Sequence, residues 1–204
     1  MACASAAVFL SAWGEASTPE TPSVGFEVPG LRTVEQAARW SQVIDTLERT
    51  LGIAHGTVQV TVRLDNRDAL RALDEILYPL SNRCNAVRLS MASVLGDLLL
   101  DPQEVSGWLP ARQDALSLDY PLADAISKHF TVVCHRHGAL ALSGMLPALP
   151  VKDDPEAQEE ILQRTAELTQ QRLRNGYDGI ALAHSGLIAV SYTHLRAHET
   201  SLHL

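Results

Sequence analysis

Residues 57–64, TVQVTVRL, set Val58, Val60, Val62 and Leu64 on one side of an extended chain and polar groups on the other. A period of two with one apolar face is a strand half-buried under something else. What flanks it has helical periodicity. Upstream, Ala37, Trp40, Ile44, Leu47 and Leu51 recur at three- and four-residue steps. Thr33 and Gln36 have the spacing of a capping box, and Gly52 stands where a helix would stop. Downstream, Leu70, Leu73, Ile76 and Leu77 predict a second helix, with Asn66 or Asp68 as its cap.

The alternation continues. AVRLS at 86–90 predicts a strand, and MASVLGDLLL after it fits helix or strand equally. A helix is expected from about Pro121 to His137, stopped by Gly138, followed by a strand ALALS at 139–143. Asp154 is placed to cap a further helix with Pro155 at its first position, Ile161, Leu162, Ala166, Leu168 and Leu173 on its buried side, and Gly176 at its end. Two short strands are expected near 179–183 and 187–190. Helix and strand in strict turn require parallel strands joined by helical crossovers, an α/β fold. Residues 15–25 are polar and Pro-rich and read as a loop, with a strand before them. Residues 101–120, carrying Pro102, Gly107 and Pro110, form a long connection.

A net charge of −8 argues against a nucleic-acid partner, which is held mainly through phosphate contacts. No apolar run approaches the ~20 residues of a membrane span. Cys3, Cys84 and Cys134 are too scattered for a disulfide framework or a zinc site, and with no basic n-region ahead of VFLSAW the expected location is the cytoplasm. There is no GxGxxG and no GxxxxGK[ST], so dinucleotide and P-loop readings have no support. The end of the chain, SYTHLRAHETSLHL at 191–204, changes character. His194 and His198 have metal-ligand spacing, but no Glu stands beside the first His. The segment resembles translated adapter sequence and is expected to be a non-native tail.

Several segments carry a family resemblance in one register. GTVQVTV at 56–62, DEILYPL at 74–80, CHRHGALALSGM at 134–145, DDPE at 153–156 and GYDGIALAHSGLIAV at 176–190 are similar to segments of the shorter, plant and bacterial malate synthases, with a fainter echo in VPGLRTVEQAARW at 28–40. The resemblance runs from Phe26 to Val190 and implies a (β/α)8 TIM-type barrel. Such barrels take about 250 residues, so residues 26–190 are expected to form an incomplete one. Residues 1–25 are expected to supply a strand and loop of an incomplete N-terminal part.

The resemblance implies an acyltransferase of the glyoxylate bypass, with acetyl-CoA and glyoxylate as substrates and Mg2+ as cofactor. Proton abstraction from the acetyl methyl needs a carboxylate base, and the enolate needs a cation, an Arg in the family. Both of these belong to family segments outside this chain, so no catalytic residue is assigned. The metal Glu of the family falls at Asp65, which keeps a carboxylate on a shorter stem. The metal Asp, in a motif close to CGRWDY, falls at Ser93 within LSMASV, where Gly, Arg and Trp are also replaced. The Lys and Glu of the family's LPKMES segment read Gly30 and Arg32. Asp97 lies beyond the strand end in that register and is not promoted to ligand. Asp65 reads equally as a turn or capping residue, Cys134–His135 as helix-end packing, His184 as a hydrogen-bonding residue, Asp178 as a strand-entry carboxylate, and Arg88 and Arg136 as solvated cations. Two functions follow: a malate synthase-like acyltransferase inactive as this chain, or a non-catalytic relative that binds or regulates. An incomplete barrel with open edges is expected to self-associate.

Overall fold

The computed structural model describes residues 2–16, 24–99, 121–146 and 154–193. Five parallel strands form one sheet in chain order: β1 (Val24–Val28), β2 (Val58–Leu64), β3 (Cys84–Leu89), β4 (Leu140–Leu146) and β5 (Gly179–Leu182). Strands laid down in sequence order, each joined by a helical crossover, curl into an open part of a barrel. Helices accompany them: α1 (Ala2–Ala16), α2 (Val34–Leu51), α3 (Arg67–Arg71), α4 (Leu73–Leu77), α5 (Met91–Leu99), α6 (Pro121–Arg136) and α7 (Pro155–Arg174). The incomplete TIM-type α/β architecture expected from sequence is the one observed.

The period of two in β2 does what its chemistry requires. Val58, Val60, Val62 and Leu64 are buried against the helices, while Gln59, Thr61 and Arg63 stay half-exposed on the opposite face, which in a closed barrel would be the interior. Each fully buried aliphatic side chain contributes about 1.5–3 kcal/mol, so this strand anchors the core. Register carries the same alternation sideways: Val28 pairs with Val62 and Val62 with Val87 on the helix side, while Arg63 pairs with Arg88 on the inner side.

Helix ends follow their capping residues. Thr33 accepts from the Gln36 amide and Gly52 adopts the left-handed conformation at φ 69°. Asn66 caps α3 by accepting from the Ala69 amide, and Asp154 caps α7 by accepting from Glu156 and Ala157. Gly138 ends α6 at φ 69°.

Three expectations change. Residues 2–16 are a helix rather than a strand, with Leu10 fully buried; the Ala-rich ACASAAV favours helix and has no period of two. Strand β1 lies where a loop was read to continue to residue 25. Residues 185–187 form a 3₁₀ turn and 188–193 continue as helix, where a strand was expected. In α7, Thr165, Thr169 and Leu173 are buried on the side expected from sequence, with Ile161, Leu162, Ala166 and Leu168 half-buried beside them. The ambiguous 91–99 segment is helical. The long connection 101–120 and most of the tail, residues 194–204, lie outside the described residues. No described helix is long and apolar enough to cross a membrane.

Candidate active-site pocket

The pocket lies where β2 and β3 end. Asp65 directly follows β2, and Ser93 stands in the first turn of α5, which leaves β3. Both line an open cavity of about 510 Å3, together with Gly30, Arg32, Asn66, Gly96 and Asp97. The C-terminal ends of parallel barrel strands are where barrel enzymes place their chemistry. The two positions read from sequence as metal ligands, Asp65 and Ser93, therefore share one cavity. So do Gly30 and Arg32, from the loop between β1 and α2, and Asp97, which sequence left aside.

The side chains in and beside this cavity are already partnered. Asp65 Oδ2 accepts from Arg63 Nε at 3.0 Å, and its Oδ1 accepts from Asn66 Nδ2 at 3.0 Å. Asn66 Nδ2 also donates to the Leu31 carbonyl at 2.9 Å, which ties the β1–α2 loop to the end of β2. Arg32 Nη1 donates to Asp68 Oδ2 at 2.8 Å. Asp97 Oδ2 accepts from the Arg67 amide at 3.0 Å, and Ser93 Oγ shares a hydrogen bond with Ser90 Oγ at 2.8 Å. Just below, on the inner face, Glu27 accepts from Arg88 Nε at 2.7 Å and from Arg63 Nη1 at 3.4 Å. Arg88 is thus an internal cation and not a solvated one.

Other residues singled out from sequence have structural partners. Cys134 is buried and His135 is exposed, its Nε2 2.9 Å from Asp178 Oδ2, so the two do not form a nucleophile–base pair. Burial pushes the Cys84 thiol up to about 11 and the Cys134 thiol higher still, so neither is a thiolate at neutral pH. Asp178 also accepts from the Ala141 amide at 2.7 Å, the strand-entry role read for it. His184 caps the turn after β5, its Nδ1 accepting from the Gly186 amide at 3.0 Å. Arg136 donates to Asp74 Oδ1 at 3.2 Å. Gly144 is packed so that a Cβ would sit 2.5 Å from the Leu89 carbonyl oxygen.

A second cluster, at the opposite end of the sheet, was not singled out from sequence. Asp45, Glu48 and His55 place ligand atoms within 4.8 Å of one another. Arg83 fills that cluster: it bonds Asp45 and reaches Glu48 Oε1 at 3.5 Å. Glu48 further accepts from the Val58 and Gly56 amides. It is a salt-bridge bolt holding α2 to the start of β2.

The malate synthase TIM barrel domain model matches residues 6–203. This chain belongs to the malate synthase TIM-barrel family. It is 30% identical over 166 residues to malate synthase A of Escherichia coli (strain K12), covering 79% of this chain and 30% of that protein. The chain thus spans about a third of that relative's length. A citrate lyase from Burkholderia xenovorans LB400 superposes with a TM-score of 0.65 at 18% identity, over 87% of this chain and 50% of that one. A malate synthase from Haloferax volcanii, in a lead(II) complex, gives 0.58 at 15% identity, over 83% and 43%. At these identities the solved structures show the fold. The sequence match places the pocket in a malate synthase barrel.

Asp65 and Ser93, which the sequence resemblance aligns with metal ligands, are both engaged within the protein. Ser93 is neutral and bonded to Ser90, and Asp65 has both oxygens engaged, one by a guanidinium. Mg2+ demands near-octahedral oxygen ligation at about 2.0–2.1 Å, commonly with one or two carboxylates and several waters. Here Asp65 is occupied by the Arg63 guanidinium and Asp97 by the Arg67 amide, so neither carboxylate of the cavity is free to ligate without giving up a partner.

Proposed function

We propose that this chain is the pocket-bearing part of a malate synthase-like acyltransferase and is itself catalytically silent. The supporting observation is the cavity at the ends of β2 and β3, which keeps the family location while its ligand positions read Asp65 and Ser93. In a working member, acetyl-CoA and glyoxylate meet beside Mg2+, a base takes a methyl proton and a cation holds the enolate. The expected location is the cytoplasm, and the expected state in solution is self-associated.

The test is release of CoA thiol from acetyl-CoA with glyoxylate, with and without Mg2+. No release above background is expected. Release that requires both substrates would overturn the proposal. A second reading, a relative that binds or regulates without turnover, is favoured by one observation: every charged side chain lining the cavity is paired within the protein.

A further inference from the structure

We propose that Arg63 is a built-in counter-ion for Asp65, standing in the charge-neutralising place of a divalent cation, so that this pocket takes up no divalent metal. The inference rests on the family register that puts Asp65 and Ser93 at the metal positions. It does not depend on whether the chain turns over substrate.

Three strands build the arrangement. Glu27 comes from β1, Arg63 from β2 and Arg88 from β3, all on the inner face. Arg88 grips Glu27 Oε2, with Nη2 at 2.5 Å and Nε at 2.7 Å. Glu27 Oε1 in turn lies 3.4 Å from Arg63 Nη1. That contact orients the guanidinium so that its Nε meets Asp65 Oδ2 at 3.0 Å. Two guanidiniums face two carboxylates, so the network is neutral as it stands.

A divalent ion on Asp65 would meet Arg63 at the same carboxylate and add two positive charges to a network that is already neutral. Arg63 and Asp65 expose only 38% and 17% of their side chains, so water screens that repulsion poorly. Release of Arg63 would also strip Glu27 of one of its two cations. The remaining carboxylate of the cavity, Asp97, is held by the Arg67 amide, and Asp68 by Arg32. Arg63 was visible in sequence only as the polar residue before Leu64. Its partner Glu27 lies on a strand that sequence missed.

The experiment is calorimetric titration of Mg2+ into the 204-residue chain, as wild type, Arg63→Gln, Ser93→Asp and the double variant, each checked for folding by circular dichroism and a thermal melt. Mn2+ binding followed by electron paramagnetic resonance is the parallel readout. The wild type should show no saturable binding that Asp65→Asn removes. The double variant should bind at least about tenfold tighter than either single change, because charge removal and ligand gain act on one site. Adding Asp65→Asn should abolish the gain, which separates this pocket from the Asp45–Glu48–His55 cluster. Arg63→Met, which keeps the aliphatic stem, replaces Arg63→Gln if that variant unfolds. Saturable Mg2+ binding by the wild type that Asp65→Asn abolishes would overturn the proposal and strengthen the acyltransferase reading. A folded double variant with no gain would overturn it as well.

Discussion

Gly144 shows how closely the strands approach behind the pocket. An Ala there would press its methyl onto the Leu89 carbonyl oxygen at 2.5 Å, and a backbone atom inside the sheet cannot step aside cheaply. Gly144→Ala should destabilise the fold by about 1–3 kcal/mol, read as a lower urea midpoint with unchanged slope. Glu48 is the larger case. It and Arg83 expose 2% and 3% of their side chains, and Glu48 also accepts from two backbone amides. Glu48→Ala leaves a buried guanidinium short of a partner and amides without an acceptor, at a cost of about 3–5 kcal/mol. The same urea titration checks it, and loss of less than ~1 kcal/mol would contradict the bolt assigned to this cluster. Asp65 and Ser93 were singled out in sequence from the register of the family segments, and they line one cavity. Arg63 was not, since an Arg at an outward strand position looks the same whether it meets water or a carboxylate.

At the scale of elements, local chemistry was read well where caps and punctuation decide. Thr33, Gly52, Asn66, Asp154 and Gly138 all sit where they were expected. The buried side of α7 was legible from its apolar residues, but not that two of its most buried members would be threonines. Thr165 and Thr169 donate to the carbonyls of Ile161 and Thr165 at 2.8 and 2.7 Å, so their hydroxyls are satisfied and can be buried. Asp154→Ala should cost about 1 kcal/mol by releasing two amides at the start of α7, seen as a lower melting temperature.

A tether between α4 and α6 gives a pH dependence. The hydrogen bond from His137 holds the Asp74 carboxyl below its ordinary value, with Arg136 adding to it. A carboxyl depressed in the folded state stabilises above its unfolded pKa of about 3.9, and that contribution is lost as pH falls through the folded value. His137→Gln should therefore flatten the acid limb of stability below about pH 4 in a urea series across pH. An unchanged limb would mean that the tether carries no such linkage.

At the scale of the molecule, the described residues build five parallel strands of a TIM-type barrel. Among the described residues β1 and β5 each pair on one side only, and Leu140 and Met145 on β4 are 53% and 62% exposed. Unpaired parallel edges favour association, and the exposed apolar side chains on either face of β4 add to it. Light scattering after size exclusion should find species larger than a monomer; a sharp monomer peak with a cooperative melt would contradict that. The parallel order of the sheet was legible from alternating periods, because the period itself reports which element comes next. The N-terminal helix and β1 were not, since a small-residue run and a five-residue strand carry little periodic signal. The pocket's location followed from the fold, while its charge balance depended on side chains brought together from three strands. That balance is tested most directly by a crystal structure grown with Mg2+ and glyoxylate present. The expected result is Arg63 seated on Asp65 with no six-coordinate ion beside it. An octahedral ion on Asp65, with the Arg63 guanidinium turned away, would contradict the account.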